Sequence, residues 1–86
     1  MTSDFIKSNL LNITGDAMSN TPMFFNFQGL SQGYDYEINF GDKTIQSIED
    51  EQLTHVYKAP GTYKIELKKI SRGHTYTVHC DYLNIQ

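Results

Sequence analysis

Apolar and polar residues alternate along most of this chain. Met23, Phe25 and Phe27 alternate in PMFFNF, and Tyr34, Tyr36, Ile38 and Phe40 alternate in YDYEINF. Tyr63, Ile65 and Leu67 do so in TYKIEL, and Tyr76, Val78 and Cys80 in TYTVHC. A period of two places each set on one face of a β-strand. The runs are rich in aromatic and β-branched residues, which suit a pleated, half-buried surface. No long window repeats its apolar positions at three and four, so no helix is predicted. A further strand is predicted over Leu10 to Ile13 and a short one over Thr44 to Ile48. The last strand changes phase: Val78 and Cys80 share one parity, Leu83 and Ile85 the other. A β-bulge near Asp81-Tyr82 reconciles the two halves.

Turn residues punctuate the runs at Asn20-Thr21-Pro22, Gln32-Gly33, Gly41-Asp42, Ala59-Pro60-Gly61 and Arg72-Gly73. Pro60 followed by Gly61 suits the two central positions of a type II turn. The stretch Gly15 to Thr21 is small and polar and reads as a mobile loop. Short strands with turn signals at this spacing predict an all-β sandwich.

Size and composition narrow the picture. With 86 residues the chain supports one domain, read here as residues 1–86. It matches a domain taken from a longer multidomain protein. A domain this small buries only about 60–65% of its unfolded surface, so a few large side chains must supply the packing. Six tyrosines and five phenylalanines provide them, without any tryptophan. No run of apolar residues is long enough to insert in a membrane. The opening MTSDFIKSNLLNITG lacks the basic and apolar regions of a secretory signal. The net charge of −3 argues against a nucleic-acid partner, which calls for a basic patch. One cysteine, Cys80, excludes an internal disulfide and a multi-cysteine zinc site.

The segment YEINFGDK…THVYKAPGTYKIEL carries a resemblance. It is similar to the polycystic-kidney-disease (PKD) domain family, whose pattern runs aromatic-Asp-Phe-Gly-Asp-Gly, then His-x-Tyr, then Pro-Gly-x-Tyr. Phe40, Gly41 and Asp42 match the first element, His55 and Tyr57 the second, and Pro60, Gly61 and Tyr63 the third. The match is clear from Tyr36 to Leu67. Three positions depart from it. The family's tryptophan falls at Ile38, its following Asp at Asn39 and its last Gly at Lys43. The resemblance implies an immunoglobulin-like antiparallel β-sandwich of about seven strands. It also implies a non-catalytic module of cell-surface or secreted proteins. Such modules serve as spacers between neighbouring domains, in contact with protein partners, or in carbohydrate binding beside a degradative enzyme.

Each candidate site has a structural reading beside its functional one. His55 as a general base would need a nucleophile in reach and a group to orient it, and no nucleophile motif is present. The structural reading has it bonding a backbone group beside the turn. Tyr57 and Tyr63 read as core or corner tyrosines, whose hydroxyls bond back to the backbone. Asn39 and Asp42 are the weak candidates for a calcium site. Calcium wants about six to eight oxygens and the supply near this turn is thin, so no metal or other cofactor is expected. The run Glu49-Asp50-Glu51 reads as a solvated loop. His74 and His79, five apart, fall on opposite strand faces and make a poor metal pair. Cys80 reads as a small buried residue. Asn12-Ile13-Thr14 fits the N-glycosylation pattern, which matters only in a glycosylating secretory source.

The outward faces of the predicted YDYEINF, TYKIEL and TYTVHC strands carry Asp35, Glu37 and Asn39, then Lys64, Glu66 and Lys68, then Thr75, Thr77 and His79. That face is polar and lacks the aromatic stripe of a sugar-binding platform. Tyr34, Phe24 and Tyr82 are the aromatics expected to be exposed, with Tyr34 and Tyr82 as candidate ligand contacts. A protein partner or neighbouring domain is therefore expected first, and polysaccharide second.

Overall fold

The computed structural model describes residues 10–86. The opening segment, on which the absence of a signal sequence was read, lies largely outside them. Seven strands form two antiparallel sheets. They are β1 (Leu11–Gly15), β2 (Pro22–Phe27), β3 (Asp35–Asn39), β4 (Ile45–Ser47), β5 (Gln52–Val56), β6 (Gly61–Ser71) and β7 (His74–Ile85). One sheet has the order β1-β2-β5, the other β4-β3-β6-β7. The fold is an immunoglobulin-like sandwich, and no helix occurs among the described residues.

The alternation places the core. Met23, Phe25 and Phe27 of β2 are buried, and so are Tyr36 and Ile38 of β3, Ile65 and Leu67 of β6, and Phe40 just beyond β3. Leu11, Tyr57 and Ile85 complete the set. β3 pairs with β6 in a register that sets Ile38 against Leu67 and Glu37 against Lys68. Opposite charges thus face each other on the solvent side, where such pairs contribute about 0.2–1 kcal/mol.

β5 is the strand that alternation did not single out. Its inward positions are Leu53 and His55 while Val56 points to solvent. A polar residue inside and an apolar one outside blur the period-two signal.

β7 departs from its predicted phase. The register with β6 runs Glu66↔Cys80 and Leu67↔His79, then jumps to Lys68↔Thr77. The extra residue is Val78, so the bulge lies there and not at Asp81-Tyr82. Beyond it, paired residues share a face of the sheet. His79 therefore joins Leu67 on the core side and is half-buried, whereas Cys80 turns outward beside Glu66 and is exposed. This corrects both the buried Cys80 and the outward His79. Tyr76 keeps the core-side parity of Lys69, yet it is exposed, as is Val78. The bulge also brings His74 and His79 to one face, but roughly 15 Å apart along the strand.

Turns explain the remaining connections. Arg72 and Gly73 have φ values of 52° and 80° between register partners Ser71 and His74. Two positive φ angles mark a type I′ hairpin, which matches the strand twist. Gly61 has φ 153°, far from the value near +80° that a type II turn requires. Pro60-Gly61 is therefore not that turn: Gly61 opens β6 in a conformation essentially restricted to glycine. The stretch Gly15 to Thr21 is tied down instead of free. Ser19 N donates to Gln86 O at 2.8 Å, Gln86 N to Ala17 O at 2.9 Å, and Asn20 N to Tyr57 O at 2.7 Å.

Candidate functional site

The motif residues converge on one end of the sandwich, where the turn after β3 meets the end of β5 and the start of β6. The turn is self-bonded. Gly41 N donates to Asn39 Oδ1 at 2.9 Å, Thr44 N to Asp42 Oδ1 at 3.2 Å, and Phe40 N to Thr44 O at 3.0 Å. Asx-type bonds of this kind are why Asn and Asp favour turns. Gly41 has φ 86°, and a Cβ built on it would lie 2.6 Å from Lys64 O. Only glycine lets the turn rest against the β6 backbone.

The rings beneath form a continuous stack. Phe40 meets Phe25 edge-on with centroids 4.9 Å apart. His55 lies parallel to Phe40 at 4.0 Å, Tyr57 meets His55 edge-on at 4.7 Å, and Tyr63 lies 4.3 Å from Tyr57. Three polar atoms of the rings are bonded. His55 Nε2 lies 2.7 Å from Asp42 Oδ2, with both side chains mostly buried. Tyr57 donates its hydroxyl to Phe40 O at 2.8 Å, and Tyr63 donates to Ala59 O at 2.6 Å. Tyr63, bonding four residues upstream, has the corner-tyrosine arrangement. His55 bonds a carboxylate and not the backbone group expected of it.

The electrostatics follow from these contacts. Burial alone raises the Asp42 carboxyl, but the hydrogen bonds from His55 and Thr44 and the charge of His55 outweigh it. The net result lies below the usual value of 3.8. Burial, then the Asp42 charge and then Tyr63 push the Tyr57 phenol well above its ordinary value of 10.0, so it stays a neutral donor.

A shallow cleft of about 410 Å³ lies over the pair, lined by Asp42, Thr44, His55, Val56, Lys58, Ala59 and Tyr63. An Asp–His pair is the orienting half of a hydrolytic triad. The hydroxyls lining this cleft are committed elsewhere. Thr44 bonds the carboxylate side of the pair, and Tyr63 bonds a backbone carbonyl. Among the described residues, no hydrogen bond joins a hydroxyl of the cleft to His55.

The candidate calcium oxygens are likewise engaged, Asn39 Oδ1 with Gly41 N and the two Asp42 oxygens with Thr44 N and His55. A calcium ion would share those oxygens with the bonds that shape the turn. The Glu49-Asp50-Glu51 run is exposed. Asn12 lies exposed in β1, opposite Asn26.

The two candidate contact tyrosines are not brought together. Tyr34 is exposed just before β3, with Lys69 Nζ 3.8 Å from its ring centroid. It lines a cleft of about 710 Å³ with Gln32, Asp35, Ser71 and Arg72. Tyr82 is exposed on the outward face of β7, opposite Lys64. Sequence reasoning missed the Tyr34 cleft, because it forms between a loop and a hairpin tip about 35 residues apart in the chain.

A family model described as "PKD domain" matches residues 10–84. Among solved structures, the chain is similar to the PKD domain of the human VPS10 domain-containing receptor SorCS2. The TM-score is 0.68 at 15% identity, over 100% of this chain and 84% of that one. At that identity the likeness speaks for the fold. No curated protein matches the sequence.

Proposed function

This chain belongs to the PKD domain family, and on that premise we propose that it is a non-catalytic interaction or spacer module of a cell-surface or secreted multidomain protein. PKD domains are generally non-catalytic modules and typically occur in such proteins. One observation carries the reading for this chain. At the motif end of the sandwich, the groups able to do chemistry are consumed by the fold: Asp42 by His55 and the turn, Tyr57 and Tyr63 by backbone carbonyls. A site whose carboxylate, imidazole Nε2 and phenols are internally bonded holds a shape. The module docks a protein partner or a neighbouring domain through its surfaces and takes up no cofactor.

A second reading, carbohydrate binding, has one observation in its favour. Tyr34 offers an exposed ring in a cleft with the planar polar side chains of Gln32, Asp35 and Arg72. Against it, Lys69 occupies part of that ring, and no second aromatic lines the cleft.

An NMR amide-shift titration separates these readings. It is run first with calcium and then with a panel of soluble glycans. The docking or spacer reading expects neither to move the spectrum. Glycan-dependent shifts around Tyr34 would replace it with the second reading. Calcium-dependent shifts centred on Asn39 and Asp42 would make the module metal-stabilised.

A further inference from the structure

The cleft beside Tyr34 holds about 710 Å³, against about 410 Å³ over the Asp42–His55 pair. Two segments wall it: Gln32 to Asp35 before β3, and Ile70 to Gly73 at the tip of the β6–β7 hairpin. A Cβ on Gly33 or Gly73 would meet nothing within 4 Å, so both turn backbones border open space.

Charge is unevenly placed here. Arg72 lines the cleft, and Lys69 Nζ lies 3.8 Å from the centroid of the Tyr34 ring, which lines it too. Among the described residues, neither cation forms an ion pair. One carboxylate, that of Asp35, lines the same cleft. Asp50 and Glu51 of the acidic run line a different one, with Phe27 and Leu30. The cleft therefore carries an excess of positive charge in a chain whose net charge is −3.

Arg72 is also an unusual residue for its position. It has φ 52° at the first place of the type I′ turn, where Asn or Gly is favoured. The left-handed region is strained for a residue with a Cβ, and strained residues cluster at ligand clamps. Arg72 is exposed there. A guanidinium matches a carboxylate with two parallel hydrogen bonds.

We propose that this cleft is the docking site of the module and takes an acidic, extended peptide segment of a protein partner. Arg72 grips a carboxylate of that segment. Lys69, held against Tyr34, adds a second positive charge, and Asp35 opposes a second carboxylate. A peptide suits the cleft better than an acidic sugar. Lys69 lies over one face of Tyr34 and no second ring lines the cleft, so a sugar has no stacking platform. An extended peptide needs none, because its own N–H and C=O groups bond to backbone that borders open space. The inference rests on the protein-docking reading above and gives that partner its chemistry.

The test is an amide-shift titration of the folded chain at low salt with a short, end-capped peptide of consecutive glutamates. Saturable shifts are expected at Gln32 to Asp35 and Ile70 to Gly73, with Kd of about 1 mM that weakens as salt rises. A glutamine peptide of equal length should leave the spectrum unmoved. Arg72→Gly removes the cation and relieves the turn, so the fold is kept while binding weakens by about tenfold. Lys69→Met keeps an apolar stem and weakens binding by about threefold. Asp35→Asn removes the opposing charge and tightens it by about threefold. Thermal midpoints report whether each variant is folded. Several outcomes overturn the proposal and leave the docking reading standing. They are a titration without saturation, shifts centred on Lys43, Lys58 and Lys64, a glutamine peptide that binds equally, and an Arg72→Gly chain that binds as the unaltered one does. An oligogalacturonate that binds this cleft more tightly than the peptide overturns both.

Discussion

The Tyr57 hydroxyl donates a 2.8 Å hydrogen bond to the carbonyl of Phe40, seventeen residues earlier, and both residues are fully buried. The bond ties the residue just after β5 to the turn that follows β3, and so one sheet to the other. Replacing Tyr57 by Phe keeps the ring stack and removes only the donor. A buried carbonyl left without it costs about 1–2 kcal/mol, or roughly 5–15 °C in Tm for a domain of this size. Thermal unfolding checks this. An unchanged Tm would show that water replaces the donor.

Gly41 and Gly33 share a φ of 86° but not their surroundings. A Cβ on Gly41 would lie 2.6 Å from Lys64 O and 2.8 Å from Lys64 N, whereas one on Gly33 meets nothing within 4 Å. Gly33→Ala should lose about 1 kcal/mol to backbone strain alone. Gly41→Ala adds a clash with backbone that cannot rotate away, for a loss of about 3 kcal/mol or more. Urea midpoints of the two variants compare them directly, and equal losses would refute the close approach.

Lys43 holds φ 73° where the family pattern has glycine. Lys43→Gly relieves that strain without removing a buried contact, because the residue is exposed. A gain of up to about 1 kcal/mol is expected, reduced by the greater freedom of glycine in the unfolded chain. Urea unfolding at neutral pH measures it. A loss would mean that the lysine side chain itself supports the turn.

The Asp42–His55 pair makes stability depend on acid pH. The folded carboxyl sits below its unfolded value near 3.8. Its contribution is present above that value and is lost as pH falls through the lower folded one. The native chain should therefore exceed Asp42→Asn in stability at neutral pH, and the margin should shrink once pH drops below 3.8. Chemical unfolding of both chains across that window tests the sign. A margin that grows on acidification would contradict it.

Much of this architecture could be read from period two. Phe25, Phe27, Ile38, Ile65 and Leu67 fell on the predicted inward face because each lies in a strand segment without a bulge, where alternation is undisturbed. The reading failed where a local event overrode the period. Val78 shifts the phase of β7, so Cys80 and His79 exchange faces. β5 hides a core-facing histidine in a polar run. Alternation does not give the partner of His55. Asp42 lies thirteen residues away, and only the stacking of His55 on Phe40 aims its ring at that carboxylate. For Gly61, the Pro-Gly pair correctly marked a chain reversal, while the start of β6 decided the φ angle.

The extra residue at Val78 divides one strand into two regimes of mutational tolerance. Toward the hairpin tip, His74 to Thr77 are all exposed and can drift with little effect on folding. Toward the C-terminal end, Leu83 and Ile85 reach the core only because the bulge has moved them by one position. Deleting a single residue between Thr77 and His79 would leave nearly every side chain present yet turn Leu83 and Ile85 to solvent. For this strand the length of the peptide, more than the identity of the residue at the bulge, is what selection must hold constant.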